Sequence, residues 1–508
     1  MSPEFCVSPE FCVKNDLGSR TRDIALTLTS WPSVTGTRGE ADFAMRLAAD
    51  IKGFDKVWTK AIPGDSVSRA NVFALKAGRS RKTIVLTGHF DVVPVENYGS
   101  LKSLAFSPEA LVPGIIAKLK AGGENPLALA DFESGDFLPG RGLLDMKAGL
   151  AAGLSAAAFY QGEATLLFVA VADEEERSAG ARAACPQLHD IATEHDLDIA
   201  LVINLDAISD QGDGENARVA TMGSIGKQLL TAMVIGVETH AGYPQDGVNA
   251  AYLAAELVTE FELAAELSET TGLEVAAPPT CLHAKDLKLG YNVTTPAAAW
   301  IYWNTLQHRR SANDVFEIAR ALASRAMLRA SPRVRQKIAV VTYEDIANAI
   351  APGVLKAKAD ELAMRADLDF AERSKLLTAF AWEKSGLVGP AVILGFGSVP
   401  YPAVLLSDAG LQEKIALALK PLGIGTRQYF AGISDMSFFG EAIGDISRVA
   451  ANTPIWGTSF IMPQPAGYPC INLGPWGRDY HHWLERLHAP YAFDTLPRAL
   501  LAVMGAVV

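Results

Sequence analysis

Apolar positions change their period along this chain. From about Asp23 they recur at helical spacing, pause over residues 31–37 and resume over 40–51, which predicts two helices opening a globular domain. Three later runs lose all alternation: residues 83–89, 165–172 and 199–205 are almost continuously apolar. A strand covered on both faces reads this way, so the three predict a largely parallel sheet of an α/β fold. The Ala/Leu/Gly run over 150–160 predicts a packed helix. Across 226–345 the texture changes to a strand over 227–238, a helix over 249–268, strand-like stretches at 287–293 and 298–305, a helix over 313–329 and a strand over 337–342. This β-α-β-β-α-β order predicts a smaller α+β domain inserted into the first.

Residues 98–139 read as an irregular insertion with one helix near 113–121, and 353–385 as a charged helical hairpin. Apolar strands at 390–396 and 403–406 predict a return to the first domain. The expected division is therefore 14–225 for the first part of the α/β domain, 226–345 for the insert, and 346–508 for a helical connection followed by the second part. Residues 1–13 hold a tandem repeat, Ser2-Pro-Glu-Phe-Cys-Val7 followed by Ser8-Pro-Glu-Phe-Cys-Val13, which reads as appended sequence rather than fold.

With 508 residues and 49% hydrophobic content, the chain can build at least two cores. Its 45 basic and 57 acidic residues give a net charge of −12, with no Lys/Arg run that would track a phosphate backbone, so nucleic acid is excluded as a partner. No apolar stretch approaches the ~18 residues of a bilayer span, and no secretory signal opens the chain, which predicts a soluble, cytoplasmic protein. Five cysteines without a C-x-x-C pair argue against a disulfide framework and against a thiolate zinc site.

The candidate chemistry lies where the buried-type strands end. His89 closes the first, with Asp91 two residues on; Asp173 to Glu176 follow the second; Asp206 follows the third. Open α/β sheets place their ligands at these carboxyl ends. Singly, each has a bland alternative: a surface His/Asp pair, a solvated acidic turn, a loop or capping carboxylate. Between the first two strands a Gly/Pro-rich loop, Leu138-Pro-Gly-Arg-Gly-Leu-Leu-Asp145, delivers one more carboxylate. His240 sits in a Gly/Pro loop that runs to Asn249, where a loop histidine bonded to backbone is the plain alternative, and the pair His481-His482 lies just beyond a late strand.

In order, these motifs resemble those of the co-catalytic zinc peptidase family that contains aminoacylase, glutamate carboxypeptidase, succinyl-diaminopimelate desuccinylase and carnosinase. The pieces are Gly88-His-Phe-Asp-Val-Val-Pro94, Gly142-Leu-Leu-Asp-Met-Lys-Ala-Gly149, Asp173-Glu-Glu175, Asp206, Thr239-His-Ala-Gly242, and a His with Glu four residues later. Within the family, Asn292-Val-Thr-Thr-Pro296, Gly432-Ile-Ser-Asp-Met-Ser-Phe438 and Gly474-Pro-Trp-Gly-Arg-Asp479 look most like the arginine-utilisation RocB group.

The resemblance implies two zinc ions, with cobalt or manganese as alternatives for an O/N donor set. One would take His89, Asp145 and Asp206, the other Asp145, Glu175 and His481. His481 is preferred to His482 because Glu485 then falls at the family's spacing. Glu174 would be the general base, Asp91 would orient His89, and the lid histidine His240 would stabilise the oxyanion across a homodimer. A cis Asp145–Met146 bond is also implied. The candidate substrate-binding residues are Asn249, Asn304 and Asp435. Two departures stand out: His89 and Asp145 are 56 positions apart, more than is usual in the family, and Trp303-Asn304 replaces its lid Asp-x-Arg. The expected activity is hydrolysis of an amide bond in an N-acyl amino acid or small amino-acid derivative. The alternatives are a dipeptidase or aminopeptidase of the same family, and a non-catalytic binding or regulatory protein on its scaffold.

Overall fold

The computed structural model describes residues 16–123, 125–271, 274–430 and 432–508; the repeat over 1–13 lies outside them. The chain divides into two compact units. One holds the described residues up to Ser224 with Leu405–Glu441 and Pro465–Val508, the other Ile225–Val404 with Ala442–Gln464.

The elements used below are, in chain order, α1 (Leu17–Thr29), α2 (Arg38–Asp50), β1 (Lys56–Ala61), β2 (Ala70–Lys76), β3 (Lys82–His89), α3 (Pro108–Gly122), α4 (Pro126–Ser134), α5 (Ala148–Phe159), β4 (Thr165–Val171), α6 (Ala179–Glu194), β5 (Asp198–Asn204) and β6 (Val219–Thr221). The second unit supplies β7 (Gly226–Ile235), α7 (Ala250–Phe261), β8 (Thr280–Asp286), β9 (Ala298–Gln307), α8 (Ala312–Val334), β10 (Ala339–Thr342), α9 (Pro352–Ala363), α10 (Phe370–Ser385) and β11 (Ala391–Phe396). The first then resumes with β12 (Gly425–Arg427), β13 (Cys470–Asn472), β14 (Trp476–Arg478), β15 (Arg486–His488) and α11 (Leu496–Val507).

In the first unit an eight-stranded sheet runs β1-β2-β4-β3-β5-β13-β6-β12. Its centre is parallel, β3 lying between β4 and β5, so the three apolar runs end at the same edge. One face of these strands, through Ile84, Leu86, Leu166, Phe168, Leu201 and Ile203, shares a core with α1, α5 and α11. Small residues let α5 approach closely: a Cβ on Gly149 would stand 2.1 Å from the carbonyl oxygen of Leu205.

The second unit has a five-stranded sheet, β8-β9-β7-β11-β10, and the predicted β-α-β-β-α-β order is present within it. Two placements differ from the sequence reading. The second strand of that order is β8, whereas 287–293 is irregular and exposes Leu289 and Tyr291. As an edge strand β8 is only half buried, which dilutes its pattern. The strand at 391–396 does not return to the first unit but pairs antiparallel with β7 and parallel with β10. Its two faces explain why: Val392, Leu394 and Phe396 join the core under α7 and α8, and Ile393 joins Met233 and Trp300 on the opposite face with Ala381 of α10. A strand buried on both sides has no alternation to say which sheet it enters. The second unit therefore extends past 345 to Val404 and recovers 442–464.

Just past the end of β4 lies a buried ionic cluster. Arg69 Nη1 is 2.5 Å from Asp173 Oδ1 and 3.2 Å from Glu40 Oε2, and its Nη2 is 2.6 Å from Asp65. Removing one partner from such a cluster leaves uncompensated buried charge. Arg69→Met is expected to cost about 3–5 kcal/mol in chemical denaturation; a loss below about 1 kcal/mol, the range of exposed pairs, would contradict this role.

Candidate metal centre

His89 ends β3 almost wholly buried, at 2% exposure. Its Nδ1 lies 3.0 Å from the Asp91 carbonyl oxygen and 3.6 Å from the Asp91 carboxylate. The main-chain oxygen therefore makes the closer contact, differing from the expected carboxylate–imidazole bond. The Asp91 carboxylate instead builds the next turn, accepting the N–H groups of Glu174 at 3.0 Å and Glu175 at 3.2 Å, and the Thr35 hydroxyl at 2.9 Å. Asp173 enters that turn at φ +67°, a left-handed conformation, with its N–H donated to Glu40 and its carboxylate held by Arg69 and the Ala179 N–H.

Asp145 faces both histidines. Its Oδ1 is 3.2 Å from His89 Nε2, and its Oδ2 is 3.2 Å from His481 Nε2, which also lies 3.0 Å from Glu175 Oε2. On the His89 side, Glu174 Oε2 stands at 4.0 Å and Asp206 Oδ1 at 3.9 Å. Ligand atoms of His89, Asp145 and Glu175 all fall within 4.8 Å of one another. The Asp145–Met146 peptide bond is cis, as the resemblance implies. The Met146 side chain packs directly over Gly88, where a Cβ would meet its Cε at 2.0 Å.

Crowding of like charge sets the electrostatics. Burial, then the charges of Asp435, Asp206 and Glu175, push the Glu174 carboxyl well above its ordinary range against the pull of His89. Burial and Asp145 push Asp206 up likewise. For Asp145 burial is outweighed by its bonds to His481 and His89, which hold it below the usual range. His481 responds in kind: burial opposes its protonated form, but Asp145 and Glu175 raise it to about 10.

The remaining candidates have local settings. His482 Nδ1 accepts the Leu484 N–H within its own turn. Asp435 is buried, and burial pushes its carboxyl up to about 7 while Ser178 opposes this. In the second unit, exposed His240 accepts the Gly242 N–H on Nδ1, Asn249 caps α7 by accepting the Ala251 N–H, and Asn304 lies in β9 opposite Leu229 and Thr280.

Sequence reasoning missed an asparagine brace. Asn472 Oδ1 accepts the Asp206 N–H at 3.0 Å while its Nδ2 donates to the Asp206 carbonyl at 2.9 Å, and Asn204 Nδ2 donates to Asn472 and to Ser434. The signal was a polar residue near the end of each of two apolar strands, β5 and β13.

Comparisons with known proteins bear on the family and the fold. The family model for Peptidase family M20/M25/M40 matches residues 85–452. Two Bacillus subtilis (strain 168) proteins match nearly end to end: the uncharacterized protein YqjN, 31% identical over 95% of each chain, and RocB, 26% identical over 94% of this chain and 93% of that protein. Among solved structures, the Bacillus subtilis YXEP protein, described as a dinuclear metal-binding peptidase from the M20 family, aligns at a TM-score of 0.52 and 12% identity. The alignment covers 97% of this chain and 99% of that one.

Because both Asp206 main-chain groups bond Asn472, Asn472→Leu should orphan them where they are buried, costing about 1–3 kcal/mol. A thermal midpoint unchanged from wild type would show that the brace carries no load.

Proposed function

The chain belongs to peptidase family M20/M25/M40, and from that premise we propose that it is a dizinc hydrolase of amide bonds in N-acyl amino acids or small amino-acid derivatives. The observation that carries this reading is the division of one carboxylate: each oxygen of Asp145 faces a different imidazole. The donor set fits the metal, being nitrogen and oxygen without thiolate, since the described cysteines 185, 281 and 470 belong to none of these contacts. His89, Asp145 and Asp206 would hold one ion and Asp145, Glu175 and His481 the other. When bound, such a pair polarises the scissile carbonyl and lowers the pKa of water towards ~7.

The chain's own residues then move the proton. Glu174, partly exposed beside His89 and raised in pKa, accepts a proton as water oxygen bonds to the carbonyl carbon. It returns that proton to the departing nitrogen as the C–N bond breaks, and the second proton of the water passes from the new carboxylic acid to the amine, leaving a carboxylate and an ammonium group. Asp91 holds the Glu174–Glu175 turn through two N–H bonds and so sets where the base points. Retention of Glu174 argues against a purely binding protein, which has no use for a general base.

His240, exposed in the second unit, is assigned as donor to the developing oxyanion from a neighbouring subunit. The homodimer this requires is supported by β8, an edge strand with exposed Leu282, followed by exposed Leu289 and Tyr291. Light scattering that returned a fully active monomer would overturn both assignments. The Asn249 oxygen is already used as a helix cap, so its amide N–H groups are what it offers a substrate. Asn304 is proposed beside it, in place of the family's lid arginine.

The test is primary-amine release from a panel of N-acyl amino acids, dipeptides and arginine-derived amides on zinc-loaded protein. Wild type should turn over and lose activity to chelators. Glu174→Ala should keep its zinc and lose turnover, by at least about 10²–10⁴-fold. His89→Ala should lose zinc as well, and near-normal rates in Glu174→Ala would remove the base assignment.

A further inference from the structure

His481 is the least secured member of the centre. Its side chain is 45% exposed, against 2% for His89, and its backbone stands at φ +64°, which a residue with a Cβ rarely adopts. It lies in the turn between β14 and β15, so no strand ladder holds it.

What holds it comes from distant parts of the same unit. The His481 carbonyl oxygen accepts from Asn97 Nδ2 at 2.9 Å and from Arg141 Nη2 at 3.3 Å. Arg141 Nη2 also donates to Asn97 Oδ1 at 3.1 Å, and its Nη1 pairs with Glu485, whose other oxygen accepts the Gly142 N–H at 3.0 Å. Arg141 and Glu485 are each 1% exposed, and the Tyr98 ring lies 5.3 Å from the guanidinium. This closed circuit joins three pieces: the segment after β3 that leads into the insertion, the loop carrying Asp145, and the turn carrying His481. The opposite half is braced separately, Asp206 by Asn472 and His89 by Met146 and the Asp91 carbonyl.

We infer that Asn97, Arg141 and Glu485 are positioning residues for His481, so that the segment Glu96–Leu104, which leads into the insertion over 98–139, governs metal retention on the Glu175/His481 side and leaves the His89/Asp206 side unaffected. The inference rests on the dinuclear reading above. Groups that orient a ligand from behind typically change metal affinity 10–100-fold when removed. Asn97 suits the test because it is exposed and its loss leaves no buried charge unpaired.

Zinc equivalents retained after dialysis against a competing chelator would be measured by elemental analysis for wild type, Asn97→Ala, Glu485→Gln and Lys102→Ala. The last breaks only the Glu96–Lys102 pair of the same segment. Wild type and Lys102→Ala should hold two equivalents. Asn97→Ala should hold one tightly and bind the second at least about 10-fold more weakly, with its circular dichroism and KM unchanged and its kcat restored by excess zinc. Glu485→Gln should follow it wherever its spectrum shows it folded. Two equivalents of unchanged affinity in Asn97→Ala, or loss of both together, would overturn the inference and leave the dinuclear reading standing. No zinc in wild type would overturn both.

Discussion

The centre depends on a single carboxylate shared between two imidazoles. Asp145 can present one oxygen to His89 and the other to His481 only if its loop lies flat on the end of β3 and the turn after β14 reaches across it. The sheet satisfies the first condition. Parallel strands in register bring His89, the Asp173–Glu175 turn and Asp206 to one edge, and glycine at 149 removes the side chain that would hold α5 away from Leu205. The second condition is met outside the sheet, by buried polar side chains.

Gathering Asp91, Asp145, Glu174, Glu175 and Asp206 in one largely buried cluster is unfavourable, and the divergent behaviour of the carboxyls records it. Asp145, bonded to both histidines, stays ionised; Glu174 and Asp206, further from them, are driven towards protonation. Carboxyls whose surroundings separate them in this way are suited to different tasks, one to hold charge and another to trade a proton. Cations placed between them would relieve the repulsion. The arrangement persists because cationic groups stand behind it: Arg69 beneath the Asp173 turn and Arg141 beneath the Asp145 loop.

What the sequence made legible was whatever the backbone period and the strand ends control. Continuous apolar runs announced the three central strands, and the residues directly after them were the ones brought together. The β-α-β-β-α-β order of the insert was legible for the same reason. The strand at 391–396 was assigned to the wrong sheet because burial on both faces erases the alternation that would identify its partners. The edge strands β1 and β8 were missed or displaced because half of each faces water. Asn97 and Arg141 could not be singled out, since their partners lie tens to hundreds of positions away and no local pattern announces a side chain that bonds a distant carbonyl, while Asn204 and Asn472 left only the trace of a polar residue ending an apolar strand. Asp91 shows the same limit: the nearby His89 was visible in sequence, but the N–H groups of Glu174 and Glu175, which its carboxylate also accepts, were not.

The claim that Asp145 joins two cation positions is tested most directly by anomalous diffraction from crystals of the zinc-loaded protein. Two peaks should appear on either side of the Asp145 carboxylate, one beside His89 and Asp206 and one beside Glu175 and His481. A single peak, or a pair that leaves either oxygen of Asp145 without a metal neighbour, would contradict it.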